Sequence, residues 1–254
     1  MIRITSRASL LVGAGLLVFT MQLKPALAQS TSVPLETVAP AHDELLYGQV
    51  LVDELEYRFG DGKPAVGWDA QAWYGDDYNK AFLKTSGEYG SSESSFESAE
   101  VQLLYSRLIG YYWDAQGGIR YDFEPNPSRV YGVIGLQGLA PGYFEVDLQG
   151  FISEEGVPST RLEASYDMLI TQRLVLQPKF ETNIAFGNDR EIGSASGFND
   201  IELGLRLRYE FIREVAPYVG VSWERQLGNT ADLAREEGED VDNLSYVVGV
   251  RLSF

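Results

Sequence analysis

From Leu46 to the last residue the chain alternates with period two, and this pattern limits it to strands. Ile201-Glu202-Leu203-Gly204-Leu205-Arg206-Leu207-Arg208-Tyr209-Glu210 is the clearest case. Its odd positions are apolar or aromatic and its even positions are charged or Gly, whereas a helix would place apolar residues at i, i+3 and i+4. Asp114, Gln116, Gly118, Arg120 and Asp122 share one face of a similar segment. Glu145, Asp147 and Gln149 alternate with Phe144, Val146 and Leu148. The pattern predicts twelve strands, at about 46–59, 66–76, 79–88, 96–108, 110–123, 128–138, 143–153, 158–168, 171–186, 199–211, 215–227 and 242–254.

The connections between these strands alternate as well. Asp77-Tyr78, Ile109, Ala140-Pro141-Gly142, Leu169-Ile170 and Ile212-Arg213-Glu214 are short. Gly60–Ala65, Tyr89–Ser95, Glu124–Pro127, Glu154–Val157, Gly187–Phe198 and Gly228–Val241 are longer and polar. Short turns on one side, longer loops on the other and an even strand number are features of outer-membrane barrels. In lipid every backbone polar group must be paired within the protein, so a spanning sheet has to close. Aromatic residues gather near strand ends, at Tyr57 and Phe59, Tyr121 and Phe123, and Tyr209 and Phe211, as interfacial girdles require. The last strand carries Tyr246, Val248, Val250, Leu252 and Phe254 as an apolar row. The predicted fold is an all-β, transmembrane, antiparallel up-and-down barrel of about twelve strands over residues 46–254.

The N-terminus names the compartment. Arg3 and Arg7 precede an uncharged apolar stretch, Ala8 to Thr20, and Ala26-Leu27-Ala28 is a small-x-small cleavage site. This is a Sec-type secretory signal, residues 1–28, cut between Ala28 and Gln29. Its apolar core is too short for a comfortable helical span, which needs about 20 residues. Residues 29–45, rich in Ser, Thr, Pro and Ala, read as a flexible periplasmic arm. With twelve strands both termini fall on the periplasmic side, and the expected location is the outer membrane of a Gram-negative cell, against its lipid.

Composition excludes several functions. There is no cysteine and a single histidine, and 37 acids stand against 20 bases. That rules out disulfide and zinc-ribbon scaffolds and a cysteine nucleophile. The acid excess excludes nucleic acid, which needs a basic surface. Removing the signal takes away Arg3, Arg7 and Lys24 and no acid, so the mature chain has 17 bases. His42 lies in the arm, away from any strand Ser, so a Ser–His site is improbable. Asp76-Asp77, Glu154-Glu155 and Glu236-Glu237 sit in turns and loops and read as solvated pairs. The chain is expected not to be an enzyme.

On the predicted register the inward face carries Arg58, Lys84, Arg120, Arg129, Arg161, Arg173, Lys179, Arg206, Arg208 and Arg251. It also carries Glu54, Glu56, Asp69, Glu100, Asp114, Asp122, Glu145, Asp147, Glu163, Asp167, Glu181, Glu202, Glu210 and Glu224. Interleaved charges of both signs are expected to pair in a lumen network. That network either rigidifies a narrow barrel or lines a cation-favouring path. Ala231 to Asp242 reads as an acidic, solvated outer loop. In the arm, His42, Asp43 and Glu44 could hold a metal weakly through an imidazole and two carboxylates.

Trp68-Asp69-Ala70-Gln71-Ala72-Trp73-Tyr74-Gly75-Asp76-Asp77-Tyr78-Asn79-Lys80 and Trp113-Asp114-Ala115-Gln116-Gly117-Gly118-Ile119-Arg120-Tyr121-Asp122 resemble the copper-resistance protein B family. Gly135-Leu136-Gln137-Gly138-Leu139-Ala140-Pro141, Ala216-Pro217-Tyr218-Val219-Gly220-Val221 and Trp223-Glu224-Arg225 continue the resemblance, which covers about residues 45–254. It implies an outer-membrane barrel with copper ion as its metal, acting by copper handling or export beside a periplasmic multicopper oxidase. Many members carry a Met- and His-rich arm. Here residues 29–45 hold only His42, and the sole Met after the signal is Met168. Two other functions fit the same pattern: a narrow porin for small charged solutes, and a structural barrel that docks the oxidase.

Overall fold

The computed structural model describes residues 45–91, 95–238 and 240–254. Residues 1–44, and with them the expected signal and arm and the candidate ligands His42, Asp43 and Glu44, lie outside the described residues.

The strands run β1 (Tyr47–Gly60), β2 (Ala65–Gly75), β3 (Asn79–Gly90), β4 (Ser95–Gly110), β5 (Trp113–Glu124), β6 (Arg129–Ala140), β7 (Phe144–Ser153), β8 (Pro158–Ser165), β9 (Met168–Leu169), β10 (Leu174–Ala185), β11 (Gly197–Tyr209), β12 (Val215–Gln226) and β13 (Asp242–Ser253). Each long strand pairs antiparallel with its neighbours, β10 with β8 and β11, and β13 with β1. Twelve long strands therefore close on themselves, and the two-residue β9 is an addition at one rim. Closure pairs the ladder all the way round, as an apolar surrounding demands.

Proline explains the one broken strand. The expected strand 158–168 stops at Ser165 and resumes as β9. Facing the gap is Pro178, whose carbonyl takes the Tyr166 N–H at 3.2 Å. The N and C=O of one residue point to the same side of a strand, so the missing proline N–H falls on this ladder. The register is the same on both sides of the gap, Lys179 opposite Ser165 and Leu176 opposite Met168. Separately, the short connection expected at Leu169-Ile170 extends to Arg173, which stands in an exposed turn rather than on the inward face.

The wall is inverted relative to a soluble protein. Leu55, Leu83, Leu103, Ile119, Ile134, Leu203 and Val248 point outward and are exposed, Ile134 at 74%. Aromatic pairs mark both rims. Tyr57 and Phe59 (6.0 Å between centroids) and Tyr121 and Phe123 (4.6 Å) lie toward the long loops. Tyr209 and Phe211 (4.9 Å) lie toward the short turns. Such an apolar belt with aromatic edges is what a bilayer covers.

Two connecting segments differ from expectation. Residues Gly228–Glu237, expected as a solvated acidic loop, form a helix, α1. Ala231 and Ala234, one turn apart, are buried at 2% and 5%, and Thr230 accepts the Ala195 N–H at 3.2 Å. Gly238 ends the helix in the left-handed region, φ 81°, its N–H returning to the Ala234 and Arg235 carbonyls. At the opposite rim Asp76 is no idle acid. It accepts the Asn79 N–H at 2.6 Å and the Tyr78 N–H at 2.7 Å. These bonds hold its carboxyl below the usual carboxylate range.

Glycine makes room inside the barrel. Gly249 stands between Tyr218 on β12 and Glu56 on β1. The Tyr218 hydroxyl crosses it and donates to Glu56 Oε2 at 2.9 Å. A Cβ on Gly249 would lie 2.6 Å from the Tyr218 ring and 2.7 Å from the Leu55 carbonyl. Gly249→Ala is expected to destabilise the refolded barrel by about 1–3 kcal/mol through overpacking, read as a lower urea midpoint.

Candidate functional site: the lumen

Period two puts every second side chain inside, and the barrel is narrow enough that these side chains meet. β1 carries Glu54, Glu56 and Arg58 on its inner face. Arg206 of β11 reaches across, its Nη2 to Glu54 Oε2 at 2.8 Å and to Glu56 Oε1 at 2.9 Å, its Nε to Glu56 Oε2 at 3.0 Å. Arg58 Nε donates to the same Glu56 Oε1 at 2.9 Å, and Lys179 Nζ to Glu54 Oε1 at 3.0 Å. On the opposite wall Arg161 grips Glu100 with two bonds of 2.9 and 3.1 Å. Arg120 grips Asp122 with bonds of 2.6 and 2.7 Å and also reaches Glu100 at 2.7 Å. Toward the short turns, Lys84 meets Asp147 at 2.6 Å, Arg208 meets Asp167 at 2.7 Å, and Lys80 meets Asp114 at 3.0 Å. Pairing this close offsets much of the cost of holding these charges away from bulk water.

Not all of the interior is polar. Phe82, Leu104, Tyr131, Val133 and Phe151 form a buried cluster on the inner faces of β3, β4, β6 and β7, with Trp73 against it. Gly118 of β5 stands in register between Leu104 and Val133. The Arg120 guanidinium lies 4.7 Å from the Phe151 ring centre and 5.1 Å from that of Tyr131. The cluster fills one side of the lumen and leaves the open space to the charged side.

Among the described residues, three cavities lie in that space. One of about 330 Å³ lies at the short-turn end, among Trp73, Lys80, Phe82, Tyr111, Tyr112 and Asp114. A middle cavity of about 430 Å³ touches Asp53, Lys84, Glu145, Asp147 and Arg251. A third, of about 280 Å³, lies at the long-loop end, lined by eleven acidic and four basic side chains. Asp69, Glu100, Arg161 and Glu163 line both the middle and the long-loop cavity, and so mark the narrowing between them. Arg129, expected within the lumen network, is a clamp at the loop end. It joins Asp189 at 3.2 Å, Glu191 at 2.7 Å and Glu155 at 3.2 Å, tying two outer loops together.

Sequence reasoning missed Asp53, Lys80, Glu88, Glu124 and Asp200 among the cavity-lining charges. Lys80 and Glu88 follow from carrying the phase of Lys84 along β3, and Asp200 from that of Glu202. Asp53 does not follow from any period. A bulge between Val52 and Glu54 shifts the phase of β1, so Gln49, Leu51 and Asp53 face inward below it and Glu54, Glu56 and Arg58 above it. Asp53 then meets Arg251 at 2.6 Å.

The donors inside are carboxylates, amides and hydroxyls. Among the described residues no group of three or more His, Cys, Asp or Glu side chains is arranged to hold a metal ion. Met168, the one thioether there, sits on β9 at the rim and is 46% exposed. A resident Cu(I) centre, which calls for soft ligands, does not fit the donor set of the described residues.

Comparison with known proteins agrees with this geometry. The fold is similar to that of the solved NanC porin, with a TM-score of 0.51 at 15% identity, covering 81% of this chain and 99% of that one. The chain is 41% identical over 213 residues to Copper resistance protein B of Escherichia coli, covering 84% of this chain and 71% of that protein. It is also 41% identical to a Copper resistance protein B homolog of Pseudomonas syringae pv. tomato, covering 84% of this chain and 72% of that protein. The family described as Copper resistance protein B precursor (CopB) matches residues 46–254. The chain therefore belongs to the copper resistance protein B family, as a closed β-barrel with a charged lumen.

Proposed function

We propose that this outer-membrane barrel serves copper resistance by letting copper ions pass through its lumen, without enzymatic chemistry. The observation that carries the reading is the lining of the long-loop cavity, eleven acids to four bases. A cleft lined by one sign of charge between low-dielectric walls concentrates the counter-ion. A passage for anionic solutes calls for the opposite sign. Carboxylate oxygens are middling copper ligands, and a conducting path needs sites that capture an ion and also release it. The short turns then face the periplasm and the loops with α1 face outward, after signal cleavage between Ala28 and Gln29.

The test is copper entry into liposomes that hold a copper-quenched dye, with and without the refolded barrel. Quenching is expected to be faster in barrel-containing vesicles. A flux equal to that of empty vesicles, with unchanged copper tolerance in a deletion strain, would overturn the reading.

A further inference from the structure

Nearly every carboxylate lining the cavities has an ion-pair or hydrogen-bond partner. Three, among the described residues, do not: Asp69, Glu145 and Glu224. Their positions are ordered. Glu224 lies near the loop end of β12, in the outer cavity, and Glu145 near the turn end of β7, in the middle cavity. Asp69 lies between them and lines both cavities at once.

The cations around Asp69 are already committed. Lys179 is shared by Glu54 at 3.0 Å, Glu163 at 3.3 Å and Glu181 at 4.0 Å. Arg161 is held by Glu100 at 2.9 Å and Glu181 at 3.5 Å. Asp69 is opposite Glu54 on β1 and Ser86 on β3, and neither brings it a positive charge. A side-chain carboxyl at a narrowing, bonded to no protein cation, is left to balance the charge of a passing cation.

We propose that Asp69 sets the charge selectivity of the lumen at its narrowing, with Glu224 and Glu145 as flanking posts on the loop and turn sides. This rests on the reading that the lumen conducts cations. It goes further in assigning selectivity to one unpaired side chain rather than to the acid excess as a whole.

The test is the reversal potential of the refolded barrel in a planar bilayer under a potassium chloride gradient. Wild type is expected to favour potassium. Asp69→Asn, which keeps the side-chain shape, is expected to lower the potassium-to-chloride permeability ratio about threefold or more. Glu236→Gln, on the outer helix, is expected to leave it unchanged. Asp69→Cys gives a second handle, because the chain has no cysteine of its own. An anionic thiol reagent is expected to restore cation preference to the folded Cys variant, and a cationic one to reverse it.

A cation-selective wild type with Asp69→Asn and both modified Cys forms unchanged overturns the assignment to Asp69 and leaves the conduction reading standing. A wild type that passes no current, or prefers chloride, overturns the conduction reading itself and the assignment with it.

Discussion

Arg206→Met is expected to destabilise the refolded barrel by about 3 kcal/mol, the lower end of the range for breaking a buried ion pair. The Arg206 side chain is 3% exposed and that of Glu56 is fully buried. Removing the guanidinium takes three bonds of 2.8–3.0 Å from Glu54 and Glu56. Both carboxylates keep cations, Lys179 at 3.0 Å and Arg58 at 3.7 Å for Glu54 and Arg58 at 2.9 Å for Glu56, which is why the lower end applies. Most of the loss is the cost of two buried charges left short of partners, so relieving one of them should restore stability. Arg206→Met combined with Glu56→Gln is therefore expected to be more stable than Arg206→Met alone. Tryptophan fluorescence during urea titration in detergent reads both variants. A change below about 1 kcal/mol would mean that lumen water screens the network as it does a surface pair.

Phe151→Ala has a second large effect, on stability and on passage together. The ring is 5% exposed, sits edge-on to Tyr131 at 6.3 Å between centroids, and has the Arg120 guanidinium over its face. Truncating a packed Phe costs about 3–5 kcal/mol, and water entering from the adjoining cavities brings the expectation to the lower end. The same truncation removes bulk from the packed side of the lumen, so single-channel conductance is expected to rise while the urea midpoint falls. Equal conductance with reduced stability would make the cluster purely structural. The two variants separate the two sides of the interior, since Arg206→Met acts on the charged wall and Phe151→Ala on the apolar one.

The twelve strands were legible because a half-buried strand repeats every two residues, and one phase had to face lipid while the other faced the lumen. Glu54, Glu100, Lys179 and Arg206 are where alternation put them. Departures arise where a single residue breaks the period. Pro178 removes one N–H and splits the strand opposite. Arg173 falls in the exposed turn before β10. The bulge after Val52 brings Asp53 inside. Ala231 and Ala234 do carry a helical spacing, but the acids around them gave the segment the composition of a solvated loop.

The sequence by itself determined the barrel, its strand order, its apolar belt and the sign of its interior, because these follow from local periodicity and from the need to pair every backbone group in lipid. Only the tertiary structure decided which charges cancel. Partners such as Arg206 and Glu56, or Lys84 and Asp147, are far apart in the chain and meet only when the sheet closes. The three carboxylates left over, Asp69 among them, are defined by what the closed barrel fails to bring beside them, and no local pattern encodes that.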